Sequence, residues 1–133
     1  MSFGDPAIVY LLHHEEFQAL KVGIASQVSR TDRIAHHAFK GWKAIATWST
    51  PTGFHAAAVE LEVLNWWRND LGAPVALTKK QMPQGGYTET ASHLFVGITE
   101  TVRKIGRTVA ILNKDPDAYV AAADETAELM EDG

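Results

Sequence analysis

The sequence predicts a single α/β domain in which helices flank a small three-stranded antiparallel sheet. Two short apolar runs near the N-terminus, 7–12 and 19–24, are rich in the β-branched and aromatic residues that favour strands. A third run of this kind, 42–48, follows them after a helical pattern. The chain has 133 residues, which is enough for one domain with a core and too few for two ordinary domains.

The composition is that of a globular protein, with 46% hydrophobic and 21% charged residues. No stretch approaches the roughly 20 apolar residues needed to span a bilayer, and the start of the chain lacks the pattern of a signal peptide. We therefore expect a cytoplasmic protein that does not contact the membrane. Because the chain has no cysteine, any metal ligand must be an oxygen or an imidazole.

The charge is unevenly distributed along the chain. The formal net charge is −4, yet all 12 Lys and Arg residues lie in 1–114, which makes that part mildly basic. The net charge argues against a protein that coats nucleic acid, since Lys and Arg supply most non-specific affinity for phosphates. The segment 114–133 is predicted to be an acidic helical extension of a domain formed by 1–113, with Asp115 and Pro116 at its start.

The second and third predicted strands are separated by a helix of about three turns. Ser29 and Asp32 have the spacing of a capping box, and Gly41 is placed to end the helix. Arg33, His37 and Lys40 recur at spacings of four and three, so they are predicted to share one helix face.

In the third predicted strand, alternation places one row of side chains on the same side. That row is Trp42, Ala44, Ala46 and Trp48. The polar residues 13–16 are predicted to form a loop between the first two strands, because they lack the Asn-Gly pattern of a two-residue turn.

A longer helix is predicted from an N-cap at Thr50, with Pro51 in the first turn, to about Leu71. Its predicted apolar stripe consists of Phe54, Ala57, Ala58, Leu61, Leu64 and Leu71. Glu60 and Glu62 lie at opposite edges of this stripe, and periodicity alone does not choose which of them faces a cleft. Trp67, beside the stripe, is predicted to be a core residue rather than a base-stacking one.

A loop over 74–86 is predicted next, followed by a helix capped by Thr88 or Thr90. The helical pattern of this last segment is carried by Leu94, Ile98, Val102 and Ile105, with continuation or a restart past Gly106.

The order of these motifs resembles the GIY-YIG nuclease domain, in the form found in small actinobacterial and phage proteins. Ile8-Val9-Tyr10 and Lys21-Val22-Gly23 stand in place of the two tripeptides, with ten residues between Tyr10 and Lys21. The stretch 58–64 looks like the family's glutamate helix, and Gly86-Tyr87-Thr88-Glu89 looks like the segment that closes over its site. Ile8 replaces a glycine of the family pattern, and Lys21 replaces a tyrosine.

The resemblance implies an endonuclease that hydrolyses phosphodiester bonds in DNA with Mg²⁺ or Mn²⁺. It favours Glu60 over Glu62 as the metal ligand. Tyr10 would position or deprotonate water, provided that a cation such as Lys21 or the metal lowers its pKa. Arg33 would stabilise charge on the phosphate, with Arg30 as a substitute, and His37 would contact phosphate or transfer a proton.

The resemblance also implies substrate-binding roles for a second group of residues, namely Arg30, Lys40, Tyr87, Thr88 and Glu89. It implies DNA as the partner, in a bacterial or phage-infected cell, with the protein acting as a monomer or homodimer. A second hypothesis follows from Lys21, because loss of the family tyrosine removes one group for proton handling. The chain would then be a degenerate interaction module that binds DNA, or a host protein through its acidic C-terminal helix, without cleavage.

Overall fold

The computed structural model describes residues 4–27 and 30–114, without the side chains of residues 30, 31 and 113. The predicted helix within 114–133 therefore lies outside the described residues, apart from Lys114, and so does the side chain of Arg30. The described elements, in chain order, are β1 (Ala7–His14), β2 (Ala19–Ser26), α1 (Arg30–Ala38), β3 (Trp42–Thr50), α2 (Gly53–Asn65), a π-helical turn (Trp66–Asp70), a 3-10 turn (Tyr87–Glu89), β4 (Thr90–Ser92) and α3 (Ile98–Lys114).

The four strands form one antiparallel sheet in the order β3-β1-β2-β4. The predicted α/β class is confirmed, but the predicted count of three strands is wrong. The additional strand, β4, has only three residues and pairs with β2 at 19–21. It is too short to carry a pattern of alternation.

The β1–β2 hairpin closes through a tighter connection than the sequence predicts. His13 and His14 continue β1, and the backbone N–H of Gln18 donates to the carbonyl of Glu15 at 3.3 Å. His14 is buried, and its Nε2 lies 3.0 Å from the carbonyl oxygen of Lys40. These two histidines therefore belong to the sheet and not to a loop.

A β-bulge interrupts the pairing of β3 with β1. Leu11 lies opposite Ala46 and Leu12 opposite Ala44, which leaves Ile45 as an extra residue. Because an extra residue reverses the alternation of side chains, Trp42 and Trp48 lie on opposite faces of the sheet. The predicted single row from Trp42 to Trp48 is therefore wrong.

Helix α2 begins two residues later than predicted. Thr52 is its N-cap and accepts a hydrogen bond from the backbone N–H of His55, whereas Thr50 ends β3 and donates its hydroxyl to the carbonyl of Ala7. The predicted stripe is wrong at its two ends, because Phe54 and Leu71 are exposed, whereas Ala58 is buried and Leu64 packs against the core. The buried side chains along the helix are those of Ala56, Ala58, Val59, Val63 and Trp67. Apolar residues surround most of this helix, so the sheet, and not the periodicity, selects the buried face.

The sheet is covered on both faces. Helices α2 and α3 pack on one face, against side chains that include Val9, Leu11 and Val22. The other face carries Tyr10, Leu12 and Trp42 and is covered by α1 and the loop that contains Leu77 and Met82.

Helix α3 begins at Ile98 and continues through Gly106, which differs from the predicted start after Thr88 or Thr90. Leu94, which the sequence places on the helix, lies before it and is 83% exposed. In the described parts of the chain, no helix combines the length and apolar character needed to cross a membrane.

Candidate active site

One cavity of about 370 Å³ gathers side chains from both hairpin strands, α1, α2 and the segment before β4. It contains all five residues that the sequence predicts as catalytic: Tyr10, Lys21, Arg33, His37 and Glu60. Glu89 completes its polar lining, together with Gln84, which the sequence does not single out. Since β4 pairs with β2 only at 19–21, the cavity opens beside the part of β2 that contains Gly23 and Ile24.

Lys21 and Tyr10 lie side by side on the same face of the hairpin. The Lys21 Nζ atom is 5.4 Å from the centroid of the Tyr10 ring and 3.3 Å from the carbonyl oxygen of Val22. Lys21 is only 3% exposed, and this burial lowers the pKa of its amine. The carboxylates of Glu89 and Glu60 oppose that shift and favour the charged form.

Two glycines make room for this pair. Gly23 lies opposite Tyr10 across the hairpin, and a β-carbon at Gly23 would overlap the phenol ring. Gly86 has φ +89°, and a β-carbon there would lie 2.5 Å from Cε and 3.0 Å from Nζ of Lys21. The Gly85-Gly86 turn thus packs directly against the lysine side chain.

The protein's own cations do not bring the pKa of Tyr10 below its ordinary value, so the condition under which Tyr10 would deprotonate water is not met by Lys21. Burial raises the pKa of Tyr10 to about 12, which outweighs the opposing effect of Arg33. The negative charges of Glu60 and Glu89 raise it further. The Tyr10 hydroxyl is therefore protonated at neutral pH and able to donate a hydrogen bond.

Of the two glutamates that periodicity leaves open, Glu60 lines the cavity. Glu62 points elsewhere and forms an ion pair with Lys104, with 3.0 Å between its Oε1 and the lysine Nζ. Burial and the neighbouring Glu89 raise the pKa of Glu60 to about 7, and Lys21 only partly compensates. The cavity therefore holds two neighbouring carboxyl groups, and Glu60 is only partly ionised at neutral pH.

This pair of carboxyl groups suits a divalent cation. Among residues 4–27 and 30–114, no group of three or more histidine or acidic side chains is arranged to hold a metal ion. Mg²⁺ commonly takes only one or two carboxylates and completes its octahedron with water and substrate phosphate. Glu60 and Glu89 supply that number of carboxylates to the cavity, and oxygen ligands also suit Mn²⁺.

Helix α1 supplies the opposite wall through Arg33 and His37. The ring of His37 is buried, with its centroid 6.1 Å from that of Tyr10, and its Nδ1 lies 3.5 Å from Nε2 of Gln84. Burial, assisted by the positive charge of Lys21, lowers the pKa of His37 to about 4. His37 is therefore neutral at pH 7, while the guanidinium of Arg33 is exposed.

The residues predicted to bind substrate are less closely grouped. Glu89 lines the cavity, and Thr88 donates its hydroxyl to a carboxylate oxygen of Glu89 at 3.0 Å. Tyr87 packs against the core beneath the loop. Lys40 is exposed, with its Nζ 5.9 Å from the ring centroid of Phe39, and does not line the cavity.

Arg68 is a residue of the site region that sequence reasoning misses. Its guanidinium donates to the carbonyls of Ala73, Thr88 and Thr90 at 3.1, 2.8 and 2.7 Å. These bonds fix the segment that carries Glu89 against the end of α2. The spacing from Glu60 through Leu64 to Arg68, four residues at each step, is the pattern that could have revealed it.

The fold and the cavity together define a mixed α/β protein with a polar site of acidic, basic and phenolic groups. Comparison of the chain with models of known protein families, with curated proteins and with solved structures finds no match in any of the three. The resemblance to the GIY-YIG nuclease domain stays a prediction from the sequence.

Proposed function

We propose that the protein hydrolyses phosphodiester bonds in DNA with the help of a divalent metal ion. The observation that carries this proposal is the convergence of Tyr10, Lys21, Arg33, His37 and Glu60 on one cavity. These side chains come from four separate elements. They supply positive charge, a carboxylate and hydrogen-bonding groups, which are the groups that phosphoryl chemistry needs.

The positive groups suit the phosphate. The guanidinium of Arg33 is planar and can donate to two phosphate oxygens at once. The Lys21 ammonium adds positive charge from the buried end of the cavity, where a low effective dielectric strengthens its interaction with an anion. Together they would stabilise the negative charge that grows on the phosphoryl oxygens in the transition state.

Glu60, with Glu89 beside it, would hold Mg²⁺ or Mn²⁺. When bound, such an ion neutralises charge on the scissile phosphate and on the leaving oxygen. Because the pKa of Glu60 is about 7 in the metal-free protein, part of the Glu60 population must lose a proton when the ion binds at neutral pH.

Tyr10 and His37 would position the attacking water. With a pKa of about 12, Tyr10 acts as a donor towards water or a phosphate oxygen rather than as a base. His37 is neutral at pH 7, so its ring offers one nitrogen that accepts and one that donates a hydrogen bond. Water held between these groups is oriented for attack on phosphorus.

A second candidate function is DNA binding without cleavage. The observation that favours it is the high pKa of Tyr10, together with Lys21 in place of the second family tyrosine, since both reduce the capacity to remove a proton. A host protein is the other partner that the sequence suggests, through 115–133, which lies outside the described residues. Deletion of 115–133 would abolish binding to such a protein but spare nicking. It therefore distinguishes the host-protein hypothesis from the nuclease hypothesis.

The proposed function is tested by nicking of a supercoiled plasmid in Mg²⁺, Mn²⁺ or EDTA. Three proteins are compared: wild type, Glu60→Gln and the matched control Glu62→Gln, which removes an acid from the same helix outside the cavity. We expect metal-dependent nicking by the wild type, a loss of about 100-fold or more in Glu60→Gln and a change within about twofold in Glu62→Gln.

Two results would overturn the proposal. Equal nicking by wild type and Glu60→Gln would show that the carboxyl group of Glu60 in this cavity takes no part in the reaction. Metal-independent DNA binding that is lost in Arg33→Ala, with no nicking in either metal, would establish the binding function instead.

A further inference from the structure

A second cavity, of about 300 Å³, adjoins the first and shares Glu60 and Glu89 with it as a common wall. Its remaining lining comes from Leu64, Asn65, Arg68, Asn69 and Thr88. A ligand group in this second cavity would therefore lie directly beside the carboxyl pair that faces the phosphate site.

The π-helical turn Trp66–Asp70 builds this wall. The backbone N–H of Leu71 donates to the carbonyl of Trp66 at 2.9 Å, five residues earlier, so the chain rotates less per residue here than in an α-helix. This reduced rotation keeps Arg68 and Asn69 nearer the helix face of Glu60 and Leu64 than α-helical geometry would. Such turns are rare and occur often at functional sites.

The chemistry of the second cavity does not suit an anion. Glu60 and Glu89 border it, and the guanidinium of Arg68 is already bonded to three backbone carbonyls. Leu64 supplies an apolar surface. The ligand that fits these surroundings is neutral and partly apolar.

Two amides provide the hydrogen-bonding groups. Asn69 Nδ2 donates to Asn65 Oδ1, which leaves the Asn65 amide N–H groups to donate and the Asn69 amide oxygen to accept. Exchanging nitrogen and oxygen in both amides reverses the roles but again leaves one donor group and one acceptor group. A donor beside an acceptor matches the edge of a nucleobase, which presents the complementary pair.

We propose that this second cavity binds the nucleobase adjacent to the scissile phosphate. The assignment rests on the proposed function, because it places the phosphate in the neighbouring cavity with Arg33. The base would contact Leu64 with its apolar surface and the amides of Asn65 and Asn69 with its polar edge. The subsite would give the protein a preference among bases at that position.

The test uses the four deoxynucleoside 5′-monophosphates and 2-deoxyribose 5-phosphate, which carries the same phosphate group without a base. None of these probes contains a bond between nucleotides. Binding in Mg²⁺ is followed by ¹H–¹⁵N NMR of the asparagine side-chain amides and of the Arg33 Nε–H group. The chain has only three asparagines, at positions 65, 69 and 113, so the amide signals are assigned by substitution. Asn65→Ala and Asn69→Ala are compared with Asp70→Ala, a matched change at an exposed neighbour that does not line the cavity.

We expect at least one nucleoside monophosphate to bind about tenfold more tightly than 2-deoxyribose 5-phosphate and to shift the amide signals of Asn65 and Asn69. Each asparagine substitution should reduce this advantage to within about twofold, whereas Asp70→Ala should retain it. All of the probes should shift the Arg33 signal.

Failure of the base subsite can be distinguished from failure of the proposed function. If every probe shifts Arg33 with the same affinity while the asparagine amides stay unmoved, the base subsite is overturned and the proposed function survives. If no probe shifts Arg33, the phosphate site fails, and the base subsite fails with it. A tenfold advantage that persists in both asparagine variants would place the base elsewhere and would also overturn the assignment.

Discussion

The phenol ring of Tyr10 occupies the space that a side chain at Gly23 would need. The two residues lie opposite each other in the β1–β2 pair, so the absence of a β-carbon on one strand lets the ring of the other lie across it. In this position the ring also lies 5.4 Å from the Lys21 ammonium. Gly23 therefore sets the geometry of the site without presenting a functional group to it.

Gly23→Ala should destabilise the protein and disturb the site together. The added methyl group collides with a fully buried ring between two paired strands, where neither backbone can move away easily. We expect a loss of about 1–3 kcal/mol in the free energy of unfolding, measured by urea denaturation.

Gly106→Ala is the control for that change. Gly106 lies within α3, and a β-carbon there would be 3.8 Å from the Trp48 indole nitrogen, an ordinary contact. Since alanine favours a helix over glycine, this variant should gain up to about 1 kcal/mol. Equal effects of the two substitutions would contradict the proposed packing of Tyr10 on Gly23.

Glu60→Gln should change how the stability of the protein depends on pH. The pKa of Glu60 is raised in the folded state from 4.5 to about 7, so its stabilising effect is complete below pH 4.5 and is lost as the pH rises through 7. Glutamine removes this dependence. The variant should exceed the wild type in stability above pH 7, by up to about 3 kcal/mol, when both are unfolded in urea at several pH values.

His37→Gln should change the pH dependence of the unfolding free energy in the opposite direction. The pKa of His37 falls from 6.5 to about 4 in the folded state, so its contribution is present above pH 6.5 and is lost as the pH falls through 4. In the wild type this loss is partly offset by Glu60 between pH 4.5 and 6.5. The same urea series should show His37→Gln gaining stability as the pH falls through that window, while Glu60→Gln loses it; parallel curves for the two variants would refute both assignments.

Arg68→Lys should loosen the segment that carries Glu89. A lysine ammonium cannot reproduce the planar fork that reaches the carbonyls of Ala73, Thr88 and Thr90. We expect a loss of about 1–3 kcal/mol in unfolding free energy and faster amide hydrogen exchange over 87–92. Arg103→Lys, at an exposed position of α3, is the control and should leave both measurements unchanged.

Much of the sheet and of the first cavity could be predicted from the sequence. The runs that form β1, β2 and β3 are rich in apolar residues, and the spacing of Arg33 and His37 places both on one face of α1. What the pattern could not reveal depends on contacts between distant segments. The strand β4 exists because 90–92 meets β2, and Arg68 acquires its role from carbonyls up to 22 residues away.

Two other differences arise from local competition that periodicity does not resolve. Thr50 and Thr52 are both suitable N-caps, and the pairing of β3 with Ala7 engages the first, which leaves the second to cap α2. Along α2, apolar residues lie on most sides, so the choice of buried face depends on the shape of the sheet beneath it.

The extra residue at Ile45 determines which side chains of β3 lie on each face of the sheet. Without the bulge, regular pairing over the same six steps from residue 42 to residue 48 would place Trp42 and Trp48 in one layer of the core. Each layer would lose or gain an indole, although no apolar side chain had been replaced. The way in which β3 pairs with β1 therefore decides which layer each tryptophan joins, in addition to the identity of the residues.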